Sequence, residues 1–180
     1  MNRNVTVVID CQAGSCGKGK ICGYIAQKDN IEISTNNWSS NAGHTYVKDN
    51  DEKIVVSHLP MAIINSDTKL CLNAGSIITP EILENELIKY KDIIGERKIY
   101  IHPRTMIIKE KHREQEKKII KSGSTFKGCG SALSEKIMRS PEAELIKDFY
   151  NIFSDYAKSK IEIVDTSLIL NQSQSNILIE

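Results

Sequence analysis

Several shortages in this sequence each exclude something. Net charge is nearly absent: 24 Lys and Arg face 23 Asp and Glu, giving +1 with His neutral. A chain this balanced has no electrostatic basis for non-specific binding to nucleic acid or an anionic membrane. No apolar run approaches the roughly 18 residues of a membrane span. The five cysteines are odd in number and none pairs at C-x-x-C spacing, so a zinc-site pattern is missing. Reduced thiols are the expectation. Internal repeats and low-complexity segments are missing too. Met1-Asn2-Arg3-Asn4 leads straight into a strand pattern, so no signal peptide is expected. What remains is a soluble globular chain of 180 residues, 40% hydrophobic and 26% charged, sized for one domain or part of a larger one.

The element pattern alternates. Val5 to Ile9 is a continuous apolar run of the kind buried on both faces of a parallel sheet. A helix is expected from Lys18 to about Gln27, then a strand over Ile31–Thr35. Thr45–Val47 and Lys53–Ser57 flank Asp49-Asn50-Asp51 as a hairpin. Lys69–Leu72 is a short strand. Thr79-Pro80-Glu81 opens a helix, with Thr79 as N-cap, proline at the first position, and Ile82, Leu83, Leu87 and Ile88 as its apolar face; Gly95 ends it. Lys98–Ile101 reads as a strand and Met106–Lys121 as a charged helix. Ser131–Met138 is a further helix. Pro141 starts another, with Leu145, Ile146, Phe149, Tyr150 and Phe153 facing the core. Glu162–Val164, Ser167–Leu170 and Asn176–Ile179 read as short strands. The expected fold is α/β: a P-loop-like, mainly parallel sheet flanked by helices, with a small antiparallel hairpin inserted.

Three segments carry chemistry. The first is Gly14-Ser15-Cys16-Gly17-Lys18-Gly19-Lys20, between a strand and a helix. Such a loop offers backbone N–H groups and a helix N-terminus to a phosphate, and its lysines add charge. The spacing from Gly14 to Lys20 matches a P-loop, but Ile21 stands where a Mg²⁺-binding Ser or Thr belongs. A tight strand-to-helix turn with surface lysines accounts for it as well. The second is Asn41-Ala42-Gly43-His44-Thr45, whose histidine suits a general acid, an oxyanion stabiliser or an ordinary loop residue. The third is Ser124-Thr125-Phe126-Lys127-Gly128-Cys129-Gly130, which suits a second phosphate or a helix-capping loop. Asp10, at the end of the first strand, is either a water-mediated Mg²⁺ partner or a turn cap. His58, His102 and His112 read as structural or surface residues.

Together these segments, with Asn73–Pro80 and the strand Asn176–Glu180, resemble the adenylosuccinate synthetase family along the length of the chain. The resemblance implies a ligase that phosphorylates purine O6 from a nucleoside triphosphate and then displaces the phosphate with L-aspartate. It implies that Gly14, Ser15, Cys16, Gly17, Lys18, Gly19 and Lys20 hold the triphosphate, with Gly43, His44 and Thr45 beside them. Lys18 would stabilise the purine oxyanion, His44 would act as the acid, and the Gly43 carbonyl and Ser15 would face Mg²⁺. Asn41, Ser124, Thr125 and Lys127 would bind the purine nucleoside monophosphate, and Arg139 would reach its phosphate across a homodimer interface.

The family loop carries Asp and Glu where this chain has Ser15 and Cys16. A serine hydroxyl cannot replace a carboxylate base unaided. Gly-Ser-x-Gly-Lys-Gly is similar to the phage branch of the family, which uses dGMP, with ATP or dATP as donor, on the way to 2-aminoadenine DNA. That branch implies (d)GMP as substrate and the host cytoplasm as location; the alternatives are IMP with GTP, a small kinase, or a non-catalytic nucleotide-binding remnant. Residues 1–180 would form the N-terminal portion of a single such domain, with the C-terminal part lacking and the isolated chain inactive.

Overall fold

In the computed structural model, residues 4–11, 16–119 and 123–180 are described. The expectations for Gly14, Ser15 and the helix end at Ile120–Lys121 therefore lie outside the described residues. In chain order the elements are β1 (Val5–Val7), α1 (Lys18–Lys28), β2 (Ile31–Asn36), β3 (His44–Val47), β4 (Lys53–Val56), β5 (Lys69–Leu72), β6 (Ile77–Ile78), α2 (Pro80–Lys89), α3 (Lys91–Ile94), β7 (Ile99–Ile101), β8 (Met106–Ile107), α4 (Glu110–Ile119), α5 (Cys129–Ile137), α6 (Ile146–Phe149), α7 (Asp155–Lys160), β9 (Ile161–Ile163), α8 (Thr166–Gln172) and β10 (Asn176–Ile179).

Six strands form one sheet in the order β1-β10-β2-β5-β7-β9, and every pairing in it is parallel. Parallel sheets need cover on both faces, and the central strands show it: Ile33, Leu70, Leu72, Ile99, Ile101 and Leu178 are all essentially inaccessible. Leu83 and Leu87 of α2 join the same core, each contributing about 1.5–3 kcal/mol through burial. β3 and β4 form the separate antiparallel hairpin, as its Asp-Asn-Asp turn predicts. Among the described residues no helix is long and apolar enough to cross a membrane. The five thiols are all free.

Several expectations need correction. Val5–Ile9 is not buried on both faces. β1 is the sheet edge, with β10 as its partner, and Val5, Val7 and Ile9 are exposed. The Asn176–Ile179 run takes the interior place instead, between β1 and β2. Met106–Ile107 is a strand beside β6 rather than the start of a helix. Its apolar run is fully buried, and the charged helix begins only at Glu110. Pro141 does not open a helix, because Glu144 and Leu145 run extended against β8 before α6 begins at Ile146: Ile107 donates to the Glu144 carbonyl and Ile146 to that of Thr105, both at 2.9 Å. Ser167–Leu170 is helical. The Asp165 carboxylate caps α8 by accepting from the Ser167 N–H at 3.0 Å. Thr79 does not cap α2; its hydroxyl donates to Ser40 Oγ at 3.0 Å and its N–H to His58 Nε2 at 3.1 Å. Ile88 lies half-exposed, outside the apolar face it was assigned to.

Candidate active site

The site gathers beside the N-terminus of α1. Gly17 enters that helix in the left-handed region, at φ +78°. A side chain is strained there, which is why the loop needs glycine at this position. Among the described residues no side chain caps α1 and no acidic residue occupies its first turn, so its leading N–H groups and positive dipole end lie beside Lys18 without a partner there. Lys18 is ion-paired with Asp10. Asp10 thus counters the loop lysine in the ligand-free chain, a role that turn-capping alone does not describe.

Gly19 has a different task from the one its place in a phosphate loop suggests. A Cβ there would stand 2.6 Å from the Thr45 N and 2.9 Å from His44 Cβ. A Cβ on Gly23 would overlap the Tyr46 ring. The two glycines let α1 lie directly on β3, and this contact carries His44 to the loop lysines. Tyr46 adds a hydroxyl hydrogen bond to Gln27 near the far end of the same helix.

Before His44 the chain is pinned at Ser40, which is fully buried: its Oγ accepts from Thr79 and its carbonyl accepts from Lys127 Nζ at 2.8 Å. Asn41, Ala42 and Gly43 then project as an exposed loop. The His44 imidazole stacks on Trp38, ring centres 3.6 Å apart and planes 17° apart. Burial, with the Lys18 charge as a second cause, lowers its pKa from 6.5 to about 4. Burial thus outweighs the attraction an indole face would offer a cation. At neutral pH His44 is a neutral imidazole able to donate one N–H, and an anion seated by Lys18 would draw its pKa upward again.

The third segment also departs from expectation. Gly128 opens α5 at φ +84°, so N–H groups do converge there. They are already filled. The Glu116 carboxylate accepts from Gly128 at 2.9 Å, Gly130 at 2.6 Å, Ser131 at 3.3 Å and the Ser124 hydroxyl at 3.3 Å. Burial pushes Glu116 up, but these donors together hold it below the ordinary carboxylate range. Ser124 and the α5 N-terminus therefore serve an internal anion, while Thr125 stays exposed. Lys127, through Ser40, ties this loop to the one bearing Asn41 and His44. Replacing Glu116 with Ala is expected to lower unfolding free energy by about 2 kcal/mol, read from urea denaturation, because those donors lose their acceptor. His112, fully buried, braces the same region: Nδ1 accepts from Lys109 N at 2.9 Å and Nε2 meets Glu135 Oε2 at 3.0 Å.

Arg139 lies beyond the other end of α5, exposed and at φ +53°. Nine helical residues separate the two ends, about 13 Å. The structure thus brings Lys18, Gly19, His44 and Thr45 together with Gly43 next along the chain, leaves Lys20 exposed on α1, links Asn41 and Lys127 to the group through Ser40, and leaves Arg139 apart. Trp38 and Glu116 had no assigned role in the motifs. Trp38 carried one signal, as the sole tryptophan six positions before His44. Glu116 carried none, being one of many charges on α4. Among the described residues no three His, Cys, Asp or Glu side chains converge to hold a metal.

Fold and site define a parallel α/β protein whose first helix starts, among the described residues, without a side-chain cap and beside a neutral histidine. Residues 7–174 match the adenylosuccinate synthetase family, and the chain belongs to that family. Among curated relatives, it is 38% identical over 143 residues to an N6-succino-2-amino-2'-deoxyadenylate synthase of Salmonella phage PMBT28, covering 78% of this chain and 39% of the relative. It is 35% identical over 181 residues to the adenylosuccinate synthetase of Methanococcus vannielii, covering 97% and 51%. Of solved structures, the succinoaminodeoxyadenylate synthetase of cyanophage S-2L, bound to dGMP and dATP as an energy donor, superposes with a TM-score of 0.84 at 26% identity, over 99% of this chain and 51% of that one. The chain spans between two-fifths and about half of the length of these relatives.

Proposed function

We propose that this chain contributes the phosphate loop and acid of a purine nucleotide:aspartate ligase acting on (d)GMP, with ATP or dATP as donor and 2-amino-(deoxy)adenylosuccinate as product. The observation that carries this reading is the uncapped, lysine-flanked start of α1 held against His44 by Gly19. In a family of purine ligases, that arrangement supports a cation and a neutral N–H donor acting together on one anion. The phage relatives named above favour the 2-amino purine.

Chemistry at that point needs two things from this chain. Loss of the purine N1 proton to water leaves negative charge on O6; as O6 then bonds to the terminal phosphorus, the bond to the nucleoside diphosphate breaks and the charge passes to that leaving group, and Lys18 and the α1 N–H groups would stabilise it. His44 donates its N–H to the same oxygens, and to the phosphate as the aspartate amine later displaces it from C6. Asp10 gives up Lys18 as the nucleotide arrives. Mg²⁺, when bound, would offset phosphate charge. It is usually held by phosphate oxygens with few protein ligands, which the Gly43 carbonyl, Ser15 and Asp10 suit. Ser15, in place of a carboxylate, removes a negative charge and leaves room for a guanine 2-amino group.

Asn41, Thr125 and Lys127 are proposed to face the monophosphate, with Ser124 supporting them. Arg139 cannot readily reach it along its own α5. Leu133, Ile137 and Met138 lie exposed beside Arg139, an apolar face suited to a second copy of this chain, and a homodimer would deliver the arginine in trans.

The test uses the protein expressed from its whole reading frame. dGMP, GMP and IMP are each supplied with aspartate and with ATP, dATP or GTP, and the succino product is read by mass. dGMP is expected to exceed IMP in kcat/KM by at least about 10-fold, since a site built for a polar substituent discriminates strongly against its absence. Preference for IMP with GTP would assign the ordinary family reaction, and no turnover would assign a nucleotide-binding remnant.

A further inference from the structure

We propose that Trp38 is a positioning residue for this reaction: its indole face fixes the plane of the His44 imidazole, and so the edge that His44 turns to the phosphoryl group. The proposal rests on the ligase reading above and goes beyond it, because none of the sequence motifs includes Trp38.

The geometry has three parts. First, the two rings are stacked at 3.6 Å and 17°, flat contact rather than edge contact. Second, the indole is a fixed wall. Trp38 belongs to the main core cluster and is only 9% exposed. Its carbonyl accepts from Ile77 N at 3.2 Å, Ser39 bridges to Ile77, and Ser40 is held by Thr79 and Lys127. Third, the histidine backbone is equally fixed, since β3 pairs His44 with Val56 and Gly19 abuts its Cβ. The torsions left open in such a histidine are χ1, with its staggered wells, and χ2, which is broad and roughly two-fold when nothing constrains it. A flat wall against the ring removes that freedom.

The indole N–H sharpens the point. Nε1 is buried and finds no hydrogen-bond partner among the described residues. Buried tryptophan normally satisfies this group, and an unpaired buried donor weakens a fold. A tryptophan kept here without that bond is kept for its faces. One face lies on the core and the other on His44.

Three variants of the full-length protein test this with dGMP, ATP and aspartate. Trp38→Leu keeps apolar volume but offers no plane. It is expected to lower kcat about 10- to 100-fold, the scale of a misplaced catalytic group, while nucleotide KM moves by less than about twofold. In ¹³C-histidine-labelled protein, with the resonance assigned through His44→Gln, the His44 Cε1–H signal should move downfield as ring-current shielding is lost. Trp38→Phe, which keeps an aromatic face and removes the unpaired N–H, should rescue both readouts. Movement of the resonance without loss of kcat, or loss of kcat without movement, overturns the proposal. Should Trp38→Leu fail to fold, Trp38→Met is read by the same criteria. Turnover that survives loss of the stack overturns this inference alone, whereas no turnover by the parent protein overturns the ligase reading and takes this inference with it.

Discussion

On the ligase reading proposed above, His44→Gln should lower kcat by about 10²- to 10⁴-fold and leave nucleotide KM within a few-fold, the signature of a group whose interaction strengthens only in the transition state. The argument is electrostatic. His44 is held neutral by burial and by Lys18, so it meets a triphosphate as a hydrogen-bond donor rather than a cation. As charge develops on the transferring oxygens the imidazole can move toward the protonated form, and it gives up that stabilisation on product release. Glutamine offers an N–H of similar reach but cannot take up charge. Steady-state phosphate release separates the cases. Unchanged kcat in His44→Gln would return His44 to the rank of a loop histidine and move the acid elsewhere.

Glu86→Ala should cost about 3–5 kcal/mol of unfolding free energy, because it leaves three backbone N–H groups without their acceptor at about 1–3 kcal/mol each. Glu86 sits on α2 and is 7% exposed. It accepts from the Ser57, His58 and Leu59 N–H groups, the last two at 3.1 and 3.0 Å. Burial pushes its pKa up, against those hydrogen bonds. A carboxylate whose folded pKa is raised binds its proton more tightly in the fold, so its contribution grows as pH falls and is smaller once pH exceeds the folded value. His58 does not neutralise it; burial lowers that imidazole to about 3. Glu86→Gln, with no charge to bury and one acceptor oxygen left, should therefore cost about 1–2 kcal/mol at pH 7. Urea unfolding of the three proteins checks the order. Equal losses for Ala and Gln would mean that the amide oxygen left by Gln supports none of the three N–H groups and that the intact carboxylate is required. Since a domain has about 5–15 kcal/mol in all, the alanine variant should express poorly. His58 also holds Thr79, which holds Ser40, so the damage reaches the loop that presents Asn41 and His44.

Much of this was legible in the residues. β5, the β3–β4 hairpin and α1 fall where periodicity and turn chemistry put them, because each is decided by its own few residues. The helix start at Lys18 and the segment Asn41–Thr45 stood out in the sequence by their glycines, and Gly19 is what lets α1 meet His44 and Thr45. Neighbours distant in sequence were harder to read. Leu168-Ile169-Leu170 is a short apolar run that fits strand or buried helix equally, and Asp165 decides it by capping. Ser124 and Gly130 looked free for a phosphate because nothing local says that Glu116, on another helix, already satisfies them. Val5–Ile9 has the composition of an interior strand, and only the sheet order makes it an edge.

That sheet order has a consequence in time. β1 carries the chain into the phosphate loop, yet its partner in the sheet is β10, and Val5 pairs with Ile177 about 170 positions later. At a ribosomal rate of about 5–20 residues per second, the first strand waits roughly 10–35 s before its neighbour exists. Local pieces such as the hairpin and α2 can form in that interval, but the first strand cannot be locked into the sheet. The strand that leads to the candidate site is therefore among the last parts of the described sheet to be completed.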